Sequence, residues 1–256
     1  IDEGLVGSEM CIRDSFNSND IYPISADSEL PFEQHRDIFH LSGIDQEETI
    51  LLLYPPSKDD KTREILFIRK SDNHTKVWEG EKLSKKQANE LSGIDSIYFI
   101  DDFKDILSSI ASQVDTFYIN KNEHYRANSP VETREDRFIS WLLKKYPAHN
   151  VAKSNPILQR QRSIKHPDEI DQIKKACNIT RKGFNRVLEF IKPNVWEYEI
   201  EAEFIHEFIN SSSKGFAYSP IIASGNDNNV LHYIKNNKQC KSGELILMDV
   251  GAEYGN

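Results

Sequence analysis

Asp249 directly follows a strongly apolar run, Leu245-Ile-Leu-Met248. A carboxylate at the end of a core strand is held rigidly, and it needs a cation, a hydrogen-bond donor or a turn amide for company. On spacing alone two readings stand. Asp249 is either a ligand for a cation or a strand-end aspartate bonded to the turn at Gly251. His232 lies between apolar residues in the sequence LHY. It either presents an imidazole to a substrate or is a satisfied, half-buried side chain. Other catalytic signatures are missing. There is no G-x-S-x-G elbow, no G-x-x-x-x-G-K-[ST] loop and no G-x-G-x-x-G turn. His206-Glu207 begins the helical zinc pattern H-E-x-x-H, but Asn210 stands where the second histidine belongs, so the pair reads as helix surface.

Composition narrows the partners. The formal net charge of -9 gives an acidic surface that repels phosphate backbones, which argues against nucleic acid. Apolar residues at 38% and charged residues at 29% fit a soluble globular protein. No apolar run approaches the roughly 18 residues that would span a bilayer, so no membrane partner is expected. The three cysteines, Cys11, Cys177 and Cys240, include no C-x-x-C pair. Such a sparse, odd set suits a reducing compartment, and the expected location is the cytoplasm. Asn73-His-Thr75 and Asn178-Ile-Thr180 match the glycosylation pattern but follow no secretory signal, so both read as chance matches.

The elements that must position Asp249 and His232 fall into two blocks. Residues 1–15, IDEGLVGSEMCIRDS, show neither helical nor strand periodicity. They read as non-native, translated adapter sequence or as a disordered natural terminus, and under either reading Met10, Cys11 and Arg13 carry no function. Residues 16–155 alternate strands and helices, the pattern of a layered α/β domain. Strands are expected at 49–54 (closed by Pro55-Pro56), 64–69, 96–100 and 116–119, with a polar hairpin loop at 57–63. Residues 38–41 form a short strand or helical turn ending at Gly43. Helices are expected at 84–91, capped by Ser84, and at 132–145. A polar linker spans 148–155. Residues 156–256 form the second domain, α+β in character. Pro167 opens a helix to about 191 whose apolar face carries Ile170, Ile173, Cys177, Phe184, Val187, Leu188 and Ile191. A second helix covers about 196–210. Strands are expected at 216–224, 230–234 and 244–250.

Motifs in both blocks resemble one family. IIASGNDNNVLHY followed by LILMDVGAEY resembles the catalytic domain of aminopeptidase P, the Xaa-Pro aminopeptidases, which has the pita-bread fold shared with prolidase, creatinase and methionine aminopeptidase. RSIKHPDEI at 162–170, Lys192-Pro193 and the stretch 197–201 resemble that domain's helix junctions. HLSGIDQEETILLLYP and ILFIRKSDNHTKVWEGEKL resemble the family's N-terminal domain. The resemblance covers 16–256, and the order and spacing of its motifs across two domains make it specific.

The resemblance implies a metal-dependent aminopeptidase that releases the residue preceding proline. It implies a dinuclear centre, usually of Mn²⁺, with Asp249 matching the first carboxylate ligand. His232 matches a substrate-pocket histidine that is not a ligand and that contacts the substrate or the charge developing at its carbonyl. Tyr218 matches a pocket-lining tyrosine. Trp78 matches a tryptophan that reaches a neighbouring subunit's pocket, with packing in its own domain as the alternative. The implied partners are proline-containing peptides and, at full length, further copies of the chain. The family's remaining ligands, a second Asp, a His and two Glu, fall after Asn256. The chain is therefore expected to be a fragment, inactive by itself. A prolidase-type dipeptidase and a metal-free pita-bread binding module are the competing expectations.

Overall fold

The computed structural model describes residues 12–255 apart from 55–56, 58–59, 122 and 125–128. Met10, Cys11, Pro55 and Pro56 lie outside the described residues. The chain divides into two compact units, Ile1–Ile164 and Lys165–Asn256.

The first unit is built on a six-stranded sheet. Its strands are β1 (Ile12–Asn17), β2 (Ile50–Leu53), β3 (Glu64–Ile68), β4 (Ser96–Phe99), β5 (Thr116–Ile119) and β6 (Asn150–Lys153), in the spatial order β4-β3-β2-β1-β5-β6. β2 is antiparallel to both β1 and β3, and the other neighbours are parallel. Its helices are α1 (Arg36–Ser42), α2 (Asn73–Trp78), α3 (Lys85–Ser92), α4 (Phe103–Ala111), α5 (Arg134–Lys145) and α6 (Asn155–Ser163). The uninterrupted apolar runs of β2 and β3 follow from burial on both faces. Ile50, Leu52, Ile65 and Phe67 meet Phe103, Leu107 and Ile110 of α4 and Ile139 and Leu142 of α5. Leu51, Leu53, Leu66 and Ile68 meet Ile38 and Leu41 of α1, Ala88 of α3 and Leu158 of α6. Local signals set the helix ends. Ser84 and Gln87 form a reciprocal capping box on α3, and Gly93 ends it with a left-handed turn.

Three expectations are corrected here. Residues 12–15 are not outside the fold, because β1 occupies the middle of the sheet, with Ile12 paired to Thr116 and Asp14 to Leu53. The expected linker at 148–155 contains β6 and the start of α6. The two compact units divide at 164/165, and Leu158 is buried in the first unit's core. Within the expected hairpin loop, Asp60–Arg63 forms a helical turn.

The second unit has two long helices, α7 (Pro167–Phe190) and α8 (Glu197–Asn210), and a two-stranded antiparallel ladder, β7 (Ile221–Ser224) with β8 (Ile246–Asp249). Pro167 occupies the first turn of α7, and the side chain of Glu169 accepts from the His166 amide. The two helices pack closely at Gly183, whose missing Cβ leaves room for the rings of Phe204 and Phe208. Ile179, Val187, Ile200, Phe204, Phe208 and Ile222 centre this core. The expected strand at 230–234 is irregular chain instead, because side chains rather than a neighbouring strand tie it down. Among the described residues, no helix is long and apolar enough to cross a membrane.

Candidate functional site

The β7–β8 ladder sorts its side chains by face. Ile222, Ile246 and Met248 turn toward the helices. Ile221 lies directly opposite Asp249, and Ala223 opposite Leu247. Directly opposed residues of an antiparallel pair share a face, so Asp249 stands with Ile221 and Ala223 on the side away from the helices. It is exposed. No desolvation therefore forces a partner on it.

Its partner is Tyr218, whose hydroxyl donates to Asp249 Oδ1 at 2.7 Å. The backbone arranges this meeting. The Ala217 amide donates to Gly251 O, and the Glu253 amide donates to Gly215 O, so residues 215–217 run antiparallel beside 251–253. The ring of Tyr218 then lies against Gly251, where a Cβ would come within 3.3 Å of it. The Ala252 amide donates to Thr180 Oγ1 of α7, which anchors the turn after Asp249. Burial and the neighbouring carboxylate push the Tyr218 phenol up to about 12, so it remains a donor across the neutral range. Among the described residues, no turn amide donates to Asp249, so the phenol takes the role that spacing offered to Gly251.

His232 is exposed, on a turn between the exposed Leu231 and Ile234. The next residue, Tyr233, is buried against Ile221 and Ala223, on the Asp249 face of the ladder. Trp78 ends α2 in the first unit and is 73% exposed, with its ring 6.0 Å from that of His74 in the same helix. Glu79, beside it, is held by Arg69 through two hydrogen bonds of 2.7 and 2.9 Å. His206 is exposed on α8, and Glu207 accepts from Ser211 at 3.2 Å, the ordinary surface expected of them. The structure thus joins Tyr218 to Asp249 and brings the His232 segment to the same face.

Residues 15–118 match the model of the aminopeptidase P N-terminal domain, and residues 171–256 match that of metallopeptidase family M24. Together these two matches support aminopeptidase P as the family that the chain resembles. The Xaa-Pro aminopeptidase of Escherichia coli (strain K12) is 29% identical over 236 residues, which are 90% of this chain and 52% of that protein. Xaa-Pro aminopeptidase 3 of Homo sapiens is 28% identical over 239 residues, 92% of this chain and 46% of that protein. The solved aminopeptidase P of E. coli in its low-pH form superposes with a TM-score of 0.84 at 26% identity, over 97% of this chain and 57% of that one. The chain spans about half the length of the curated relatives it matches. Its architecture is an aminopeptidase P N-terminal domain followed by the start of an M24 catalytic domain.

M24 is a metallopeptidase family, so a metal cofactor belongs to it. Among the described residues, no three His, Cys, Asp or Glu side chains gather to hold an ion. Asp249 supplies one carboxylate, and protein-held divalent ions take several ligands. The described side chains do not by themselves fit a metal centre.

Two residues that sequence reasoning passed over organise this face. Glu197 and Asn236 are buried and multiply hydrogen-bonded. Glu197 looked like an ordinary acidic residue of a helix first turn. Its only distinguishing signal was its place in the 197–201 junction.

Proposed function

We propose that this chain is the front portion of an Xaa-Pro aminopeptidase, a hydrolase that releases the first residue of peptides with proline in second position. The observation that carries this reading is the Tyr218–Asp249 bond within the segment that matches the M24 model. In the longer enzyme Asp249 serves as a ligand of a Mn²⁺ centre, since hard oxygen donors suit that ion. Tyr218 holds Oδ1 and thereby fixes the rotation of the carboxylate. His232 meets the substrate near its scissile carbonyl. Trp78, exposed at the end of α2, reaches the pocket of another copy in a homo-oligomer. Proline's ring fixes φ and removes the amide donor, so such a substrate calls for a shaped pocket rather than an extended strand-like cleft. The acidic, cysteine-poor chain suits the cytoplasm.

The test is to read the source coding sequence past Asn256, express the longer protein, and assay it with Mn²⁺ on Xaa-Pro-Xaa tripeptides and Xaa-Pro dipeptides. The expected result is a further Asp about ten residues past Asp249, then a His and two Glu, with tripeptide cleavage that chelator abolishes. Cleavage of dipeptides alone would make the protein a prolidase. Absence of those ligands together with no cleavage would make it a binding module. The 256-residue chain itself is expected to be inert, and metal-dependent cleavage by it would contradict that.

A further inference from the structure

We propose that Glu197, acting with Asn236, is a positioning residue for His232: it fastens the segment that carries His232 to the open edge of β7. The role of His232 rests on the reading above, whereas the fastening is a property of this chain.

Strand β7 pairs with β8 along one edge only. Amides alternate edges along a strand, so those of Ile222 and Ser224 face the other edge. Among the described residues, no strand covers that edge, yet both of those amides find acceptors. The side-chain amide of Asn236 donates to Pro220 O at 3.0 Å and accepts from the Ile222 amide at 3.0 Å. The next rung belongs to Glu197, whose Oε1 accepts from the Ser224 amide at 2.8 Å and from Ser224 Oγ at 2.7 Å. Two side chains thus stand in for a neighbouring strand. This is a way of closing a sheet edge without offering it to another chain.

The same two residues hold the irregular chain that follows. Glu197 Oε2 accepts from the Tyr233 hydroxyl at 2.7 Å and from the Lys238 amide at 2.9 Å. The Glu197 amide donates to Lys238 O at 2.9 Å. Asn236 donates also to Glu201, one turn further along α8, at 2.8 Å. It adopts φ 43, a left-handed conformation that asparagine tolerates better than most residues. Glu197 is 0% exposed, and its four donors satisfy both oxygens. Burial and the Glu197 carboxylate push the Tyr233 phenol up to about 12, so this donor keeps its proton over any working pH.

Packing alone does not hold His232 in place. Leu231 is 84% exposed and Ile234 62%. Tyr233 is the one apolar anchor of residues 230–234 among the described residues, and its hydroxyl ends on Glu197. Glu197 therefore decides where His232 is presented relative to Ile221 and, opposite it, Asp249.

The test uses the isotopically labelled 256-residue chain and two variants, Glu197→Gln and Tyr233→Phe, with His232→Gln to assign the imidazole signals. Glutamine keeps the shape but turns one acceptor oxygen into a donor that faces existing donors. Amide exchange at 230–240 should quicken by about tenfold or more relative to α7, the scale of one charge-assisted hydrogen bond. The His232 ring signals should move. Tyr233→Phe should give the same pattern with a smaller amplitude, and it decides the matter alone if Glu197→Gln does not fold. Unchanged exchange at 230–240 would overturn the proposal. So would a loss spread evenly over Lys165–Asn256 with the ring signals unmoved, which marks a general stabilising role. Neither readout depends on peptidase activity, so a failed cleavage assay and a failed fastening are separate results.

Discussion

Replacing Asp14 with valine should stabilise the first unit, and the gain should grow with pH. Asp14 is 1% exposed in the central strand β1, opposite Leu53 and two residues before Phe16 on the face that meets α1, α3 and α6. Its Oδ1 is buried with no hydrogen-bond partner. Desolvation by burial raises its pKa from 3.8 to about 7. That shift of about three units corresponds to about 4 kcal/mol at roughly 1.4 kcal/mol per unit. The sign follows from the raised folded-state pKa. Below pH 3.8 the group is protonated in both states and the penalty is absent. As pH rises toward about 7, the unfolded state ionises first and stability falls; above that the penalty is constant. Valine also suits a buried strand. Urea unfolding of wild type and Asp14→Val at pH 4, 6 and 8 gives the difference directly. The variant should gain about 1–2 kcal/mol at pH 4 from apolar burial and roughly 4 kcal/mol more at pH 8. Glu135 has a similarly raised pKa, but it titrates in both proteins and cancels in the difference. A pH-independent gain, or a loss at pH 8, would refute the reasoning.

Gly183→Ala places a Cβ 2.7 Å from the Phe208 ring and 2.9 Å from Phe204. It should lower the second unit's stability by about 1–3 kcal/mol despite alanine's helix advantage, as read by thermal melting. Arg69→Met removes the donor shared by Glu47 at 2.8 Å and Glu79 at 2.7 Å, leaving Lys82 to face both carboxylates. The loss should be about 1–2 kcal/mol in low salt and smaller in high salt, measured by urea unfolding in each. The phenols of Tyr218 and Tyr233, both raised to about 12, should be among the last to titrate in an alkaline absorbance scan. The stability they lend is complete below about pH 10 and is lost as pH rises through about 12, and Phe at either position should delete the matching late absorbance step.

The sequence was most legible where one local signal decides the outcome. The two-faced apolar runs at β2 and β3, the Ser84 cap of α3 and Pro167 at the head of α7 each have a cause that acts over a few residues. β6, with the sequence NVAK, carried no such signal because it is an exposed outer strand whose pairing with β5 is set by tertiary context. α6 hides a single buried apolar side chain, Leu158, in a polar stretch. At the candidate site, Asp249 was visible from its apolar approach, but its bond to Tyr218 spans 31 positions and depends on how 215–217 lies against 251–253. Val230–Ile234 has the composition of a strand. It is not one, because the neighbouring edge is taken up by Glu197 and Asn236.

The central place of β1 bears on how the first unit assembles. β1 is made early, yet its parallel neighbour β5 begins at Thr116. The β2–β3 hairpin can form from nearby residues, while β5–β6 must wait for a distant strand to bridge it to that hairpin. Pairings of such long sequence separation are slow, because chain entropy is lost before the contacts reward it. During synthesis β1 should therefore join the β2–β3 hairpin first and keep a raw edge until Thr116–Ile119 arrives, and β1 is the piece that links the two halves of the sheet. Any change that delays or weakens that strand lengthens the time for which the edges are open to other chains.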